Sequence, residues 1–396
     1  MLLDGLKVVE FSTWVAAPGC AAIMADWGAR VVKVESAAGD ATRGFFPDDE
    51  ESPYNPIFSN ENRGKRGVVL DTGRPEGRAA LIALLKGADV FVTNLRPGAL
   101  KRARLDYEAL KNELPQLIYA NVTGYGLEGE EVDVPAFDLT GFWTRSSVAA
   151  CTIPPDQEPF TCRPGFGDHV TALATLSGVL AALHERGRTG RGRQVETALI
   201  RVGAYAIGWD LSTFLRYGQA TTAVPRNDRP GVLSGYFRTR DQRWFCVSSR
   251  SPRDQPALLT EFGRADLAAE PRYAPPVRDM DAVRELRAVL DEEFARYDLA
   301  EVREIMRRAD VIWAPMATLE ELTHDPQAHA AGCFVDVPDR FGGVHRAPAA
   351  PVRFPGLPTG PVGPAPALGQ HTREVLTEAG LSEAEVQRLF EIGAAK

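Results

Sequence analysis

The sequence is short of cysteine, histidine and lysine. Its 396 residues contain 5 Cys, 6 His and 7 Lys, against 38 Arg. The cysteines (Cys20, Cys151, Cys162, Cys246, Cys333) are scattered and show no C-x-x-C spacing. An odd, sparse set argues against a disulfide framework and suits free, mostly packed thiols in a reducing compartment. The histidines (169, 184, 324, 329, 345, 371) never fall at metal-ligand spacing with a carboxylate or thiolate. No metal site is expected. There is no G-x-S-x-G, no H-E-x-x-H and no P-loop motif. No G-x-G-x-x-G follows the first apolar strand, so a nicotinamide cofactor is not expected. No run approaches the ~18 uncharged apolar residues of a membrane span. The start, Met1 to Gly5, has no basic n-region, and Asp4 interrupts it. A cytoplasmic protein without membrane contact is expected. Excess positive charge is also missing. Forty-five Lys+Arg against 53 Asp+Glu give a net charge of -8. That balance argues against nucleic acid or an anionic membrane as the main partner.

What is present reads as an ordinary globular chain, 44% hydrophobic and 25% charged. Residues 6–11, 30–35, 67–70, 89–93 and 117–122 are short, β-branched and apolar, and read as strands. Helices are expected over residues 19–28 and 75–86, with Pro75 in the first turn of the second. Alternation of this kind predicts an α/β fold with a doubly wound, Rossmann-like parallel sheet. Ligands then sit beyond the carboxyl ends of the strands. A helix over 168–186 is apolar nearly all round and should be buried centrally. Residues 194–199 lead into a second long apolar helix reaching about Tyr217. A polar linker spans 221–230, followed by a hairpin over 235–248 turning at Asp241-Gln242. Helices follow over 255–262, 281–297 and 298–309. The expected domains are a large one over 1–220, a smaller α+β one over 225–320, and an arm over 330–396 that returns to the large domain. Seven prolines between 346 and 368 mark the extended part of that arm. A final polar helix is expected over about 382–392.

Two readings of chemistry come from the residues themselves. Asp168 follows Gly165-Phe-Gly167 and opens the long apolar helix. It reads either as an N-cap or as a carboxylate held anionic by the helix dipole, with a free pKa near ~3.9 that needs no activating base. Such a group can act as a covalent nucleophile, and the glycines would leave N–H groups open to an oxyanion. The cations are uneven. Residues 1–104 hold 14 Lys+Arg and 13 Asp+Glu, a balance of +1, so the rest carries -9. Arg63 to Arg66 precede one strand, and Arg96, Lys101, Arg102 and Arg104 follow another. They read either as solvated surface charge or as a site for a small phosphate-bearing ligand.

Several segments in order resemble the class III CoA-transferases of formyl-CoA transferase and carnitine CoA-transferase type, a fold shared with α-methylacyl-CoA racemase. They are Leu3 to Phe11, Ala25 to Glu35, Asn62 to Lys65 with Leu70-Asp71, Asn94-Leu-Arg-Pro-Gly98, Thr123 to Gly126, Gly167-Asp168, Leu183 to Gly192, and His324-Asp-Pro326. The resemblance implies an interlocked, ring-like homodimer. It implies coenzyme A or acyl-CoA and a carboxylic acid as substrates, with no tightly bound cofactor. It assigns Asp168 as the catalytic residue that forms an acyl-aspartyl anhydride and then an aspartyl-CoA thioester. It assigns Val15, Ala16, Leu70, Asn94, Leu95, Arg96 and Arg102 to coenzyme A, and Phe137, Asp138 and Gly167 to the substrate pocket.

Departures narrow the function. Phe137 stands where a racemase of this fold has its proton-transferring histidine, so racemisation lacks a base. Residues 223–231 lack the glycine-rich loop of formyl-CoA transferases. Residues 142–147 look more like the branch that handles bulkier aryl or branched hydroxy acids, with Phe142-Trp143 as pocket or core. Alternatives are an α-methylacyl-CoA racemase or epimerase, and a non-catalytic acyl-CoA-binding protein.

Overall fold

Six short segments, most of them apolar, pair side by side into one parallel sheet. In the computed structural model, which describes residues 1–46, 55–219, 223–249 and 251–396, they are β1 (Lys7–Phe11), β2 (Arg30–Glu35), β3 (Arg66–Val69), β4 (Val90–Thr93), β5 (Ile118–Thr123) and β6 (Gln194–Ala198). Their order is β3-β2-β1-β4-β5-β6, and every pairing is parallel. This is the doubly wound Rossmann order, in which direction reverses between β1 and β4. The two-residue side-chain period sends Val8, Val31 and Val90 to one face and Val9, Val34 and Phe91 to the other. α1 (Ala16–Asp26) covers the first face, and α3 (Pro75–Lys86) covers the second.

Between and after these come α2 (Pro56–Asn62), α4 (Pro97–Arg102), the single turns α5 (Tyr107–Leu110) and α6 (Val148–Thr152), and the long α7 (Phe166–Thr189). α1 starts at Ala16, three residues earlier than expected. Pro18 fits its first turn because those N–H groups have no helical partner to lose. α7 lies beside α1 and buries one stripe: Gly167, Thr171, Ala172, Thr175, Leu176, Val179 and Ala182. The expectation of burial all round does not hold, since Leu173 is 38% exposed. Contrary to the sequence reading, α7 is one helix long and apolar enough to cross a membrane by length and composition. Here its buried stripe packs on the sheet as a core helix. The next apolar stretch is not one helix. α8 (Leu199–Ala206) and α9 (Gly208–Tyr217) break at Ile207.

The chain divides into two compact units, one of residues 1–151, 159–221 and 327–396, the other of 152–158 and 222–326. The second unit holds the antiparallel pair β7 (Ser234–Arg238) and β8 (Trp244–Ser248), with β9 (Trp313–Pro315) added beside β8. α10 (Asp254–Glu261), α11 (Ala265–Ala268), α12 (Met280–Phe294), α13 (Leu299–Ala309) and α14 (Leu319–His324) complete it, around a core that includes Phe237, Phe245 and Phe294. Residues 221 and 222 of the expected linker lie outside the described residues. After α15 (Pro326–Ala331), β10 (Phe334–Pro338) and β11 (Val344–Pro348) form a hairpin that the sequence reading missed. Residues 349–368 then run without helix or strand. α16 (Thr372–Glu378) and α17 (Glu383–Glu391) bury Val375, Leu376, Val386 and Leu389 in the core on the α3 face.

Candidate functional site

The reversal between β1 and β4 opens a cavity of about 310 Å³ at the carboxyl ends of the strands. Its walls come from the loops after β1, β4 and β5, from residues 132–137, and from Asp168 and Leu199. Val122, Val132, Val134, Pro135, Ala136 and Leu95 make it largely apolar. Asn94 clips two of the loops together: its Nδ2 donates to the Thr13 carbonyl (2.6 Å), and its Oδ1 accepts the Thr13 N–H (3.0 Å).

Trp14 sits at φ +70°, a left-handed conformation that a bulky residue adopts only under constraint. Its N–H donates to Asp40 Oδ1 at 3.3 Å. Asp40 is held from below by a buried charge network. Lys33 Nζ lies 2.9 Å from Asp40 Oδ2 and 2.8 Å from Glu10 Oε1, and Lys65 Nζ lies 2.5 Å from Glu10 Oε2. Burial alone would raise Glu10, yet Lys33 and Lys65 together hold it below the usual carboxylate range. The ring of Trp14 meets Phe137 edge-on at 4.9 Å and Phe45 at 6.0 Å. Phe137 is 52% exposed, so an apolar face is available in the cavity.

Asp168 lies in the first turn of α7, three residues inside the helix, and Gly165 at φ +83° takes the N-cap position. The N-cap reading of Asp168 is thereby corrected. The half-buried carboxyl is pushed up to about 7, first by burial and then by Asp138, while His169 opposes the shift. The expectation of a carboxylate at its free pKa therefore fails: loss of water outweighs the dipole. Asp138 is buried, and its Oδ2 accepts the Gly167 N–H at 3.2 Å. That N–H is consequently occupied and not open to an oxyanion. A Cβ on Gly167 would stand 2.6 Å from the Phe142 ring, so only glycine lets α7 approach there. Phe142 and Trp143 are both buried, and Trp143 Nε1 donates to the Phe160 carbonyl. They support the site and do not line the cavity.

The residues assigned to coenzyme A divide into two groups. Ala16, Asn94, Leu95 and Arg96 line the cavity with Asp168. Val15 caps α1, and its Cγ1 lies 4.0 Å from where a Cβ of Gly165 would be. Leu70 does not reach the cavity. It is core, pairs with Ala395 and donates its N–H to Glu35. Arg102 lines a separate open hollow of about 630 Å³ with Arg74, Arg78 and Arg104. The Arg63 to Arg66 group is not a ligand cluster. Arg63 is buried against Asp26 (2.7 Å), Lys65 against Glu10, and Arg66 pairs with Glu374 and Glu378. The sequence reading missed Trp14, Glu61 and His169. Trp14 could have been found as a large aromatic in a strand-to-helix loop. Glu61 and His169 are 108 residues apart, and no local pattern joins them.

Residues 3–372 match the model of CoA-transferase family III. The chain is 32% identical over 390 residues to the (R)-2-hydroxy-4-methylpentanoate CoA-transferase of Clostridioides difficile, covering 98% of this chain and 97% of the relative. It is 31% identical to the cinnamoyl-CoA:phenyllactate CoA-transferase of Clostridium sporogenes, covering 98% and 96%. A solved CaiB/BaiF family protein from Brucella suis superposes with a TM-score of 0.83 at 29% identity, over 95% of this chain and 99% of that one. A chain that matches over nearly its whole length, with a Rossmann-ordered sheet and a carboxylate at its switch-point cavity, belongs to CoA-transferase family III and is a CoA-transferase enzyme.

Proposed function

We propose that this enzyme moves coenzyme A from an acyl-CoA to a carboxylic acid bearing a branched or aryl side chain, with Asp168 as the residue that is acylated. The carrying observation is a single carboxyl facing a largely apolar cavity at the switch point. In the proposed sequence a carboxylate oxygen of Asp168 attacks the thioester carbonyl. The C–S bond breaks, and the thiolate of coenzyme A leaves an acyl-aspartyl anhydride. The thiolate then attacks the Asp168 carbonyl carbon, which releases the donor acid and forms an aspartyl-CoA thioester. The acceptor carboxylate attacks that thioester and releases the thiolate, which takes the acyl group from the second anhydride and restores Asp168. Anhydrides survive only where water is excluded, and the apolar walls favour that. Arg96 at the cavity and the arginine-lined hollow around Arg102 offer cations for the phosphates of coenzyme A.

The side-chain preference rests on Trp14, Phe137 and the valines of the wall, and on the substrates in the names of the two Clostridium-group relatives. The decisive experiment pairs a panel of acids with hydroxylamine trapping. Branched and aryl 2-hydroxy acids should outcompete formate and oxalate, and hydroxylamine should mark Asp168 during turnover. In Asp168→Ala, transfer should fall by roughly three orders of magnitude or more, as for loss of a covalent nucleophile. Full transfer by that variant overturns the role of Asp168. A preference for formate overturns the substrate class.

A further inference from the structure

α2 and α7 carry a pair of side chains that the proposed acyl transfer does not use. The His169 ring nitrogen Nε2 lies 2.9 Å from Glu61 Oε1. Glu61 is only 4% exposed. It is locked in place from several sides. Asn60 Nδ2 donates to Glu61 Oε1 at 2.5 Å, and Lys65 Nζ donates to the Glu61 backbone carbonyl at 2.5 Å. Its other oxygen lies against Gly19 of α1, where a Cβ would come within 2.7 Å. The imidazole rests on Gly165, 3.4 Å from the position a Cβ would take there. A carboxylate has thus been placed in the interior beside the residue that directly follows Asp168.

We propose that Glu61 and His169 are positioning residues that hold a positive charge beside Asp168 and so keep it available as an anionic nucleophile. The proposal rests on Asp168 being the acylated residue. The need for such a charge is visible in the surroundings. Asp168 faces Asp138 from the turn before residues 139–144, Glu61 from α2 and the Cys162 thiol, and among the described residues His169 is the positive group that acts on it. His169 in turn faces Glu61 and Asp168, and Glu61 faces Lys65, itself bound to Glu10. The hydrogen bond to Glu61 raises His169 above its ordinary value, so it stays protonated further up the pH scale. A protonated His169 lowers Asp168, against burial, Asp138 and Glu61. Half of the His169 side chain is exposed, so solvent screening limits the effect to a moderate one.

The test is the pH profile of transfer in Glu61→Gln, His169→Gln and His169→Lys, with isotope-labelled histidine followed by NMR. In His169→Gln the acid limb of kcat should move to higher pH, whereas in Glu61→Gln it should move less, because that change also removes a negative charge that raises Asp168. The rate of His169→Gln near pH 6 should drop about three- to tenfold, one pKa unit being tenfold, and it should converge with the parent above pH 8. KM for acyl-CoA should stay within about twofold. His169→Lys should restore the acid limb, which a purely structural role would not do. The NMR midpoint of His169 should fall in Glu61→Gln. Superimposable profiles, or an unmoved His169 midpoint, overturn the proposal. Failure of the Asp168 assignment reads differently: Asp168→Ala would retain transfer, whatever the histidine does.

Discussion

At the scale of single residues, Asp168 carries two properties that pull apart. Its place in the first turn of α7 favours the anion, whereas burial and Asp138 disfavour it and push its carboxyl up to about 7. Ionising it in the folded protein therefore costs stability. The sign follows from linkage: the folded state binds the proton more tightly than the unfolded chain, whose value is 3.8. The parent thus loses stability as pH rises from about 4 through about 7. Asp168→Asn lacks that loss. Its melting temperature should match the parent near pH 4 and exceed it at pH 8, by an amount worth on the order of 1 kcal/mol after solvent screening. Thermal scans at the two pH values check this, and an equal gain at both would remove the electrostatic account. That Asp168 is a candidate was legible in the sequence, because an Asp after Gly-Phe-Gly at the head of an apolar helix stands out. Its elevated proton affinity was not, because Asp138 lies 30 residues away along the chain and acts only through space.

At the scale of elements, strand positions were readable because a parallel sheet covered on both faces writes itself into short continuous runs of Val, Ile and Phe. β2 and α3 fall on the residues expected for them. The misses have physical causes. β6 follows a basic turn and is polar at Gln194, Glu196 and Thr197, so its membership depends on pairing with β5. The break between α8 and α9 at Ile207 carries no proline signal. The start of α7 shows how elements constrain one another. Phe142 packs on Gly167, and Asp138 accepts the Gly167 N–H, so the segment before α7 sets the height at which Asp168 stands. Gly167→Ala should force the Phe142 ring away, destabilise the protein by about 1–3 kcal/mol as overpacking does, and cut transfer by tenfold or more. Denaturant unfolding alongside a rate measurement would check both. A variant of native stability and native rate would show that the close approach is not required.

At the scale of the whole molecule, α8 and α9 show more apolar surface than a solitary chain usually leaves. Tyr205 is 87% exposed, Leu215 76% and Tyr217 70%, and α9 buries no residue. A homodimer that covers α8 and α9 is the proposed explanation. Sedimentation should give about twice the 43.1 kDa chain mass, and Leu215→Glu with Tyr205→Glu should shift the protein toward monomer. A parent that sediments as a monomer at micromolar concentration would remove that explanation. Acidic net charge had set aside nucleic acid as a partner, and it left open a small polyanion met by local cations. Folding then redistributed those cations. Arg63 and Lys65 went into buried ion pairs, while Arg96 stayed at the cavity and Arg102 joined a separate hollow. The sequence by itself determined the α/β fold class and marked Asp168 as a candidate carboxyl, since both are written in local patterns of polarity and glycine. Only the tertiary structure decided which charges face one another, because Coulomb interactions depend on distance in space, and neighbours such as Glu61 and His169 are far apart along the chain.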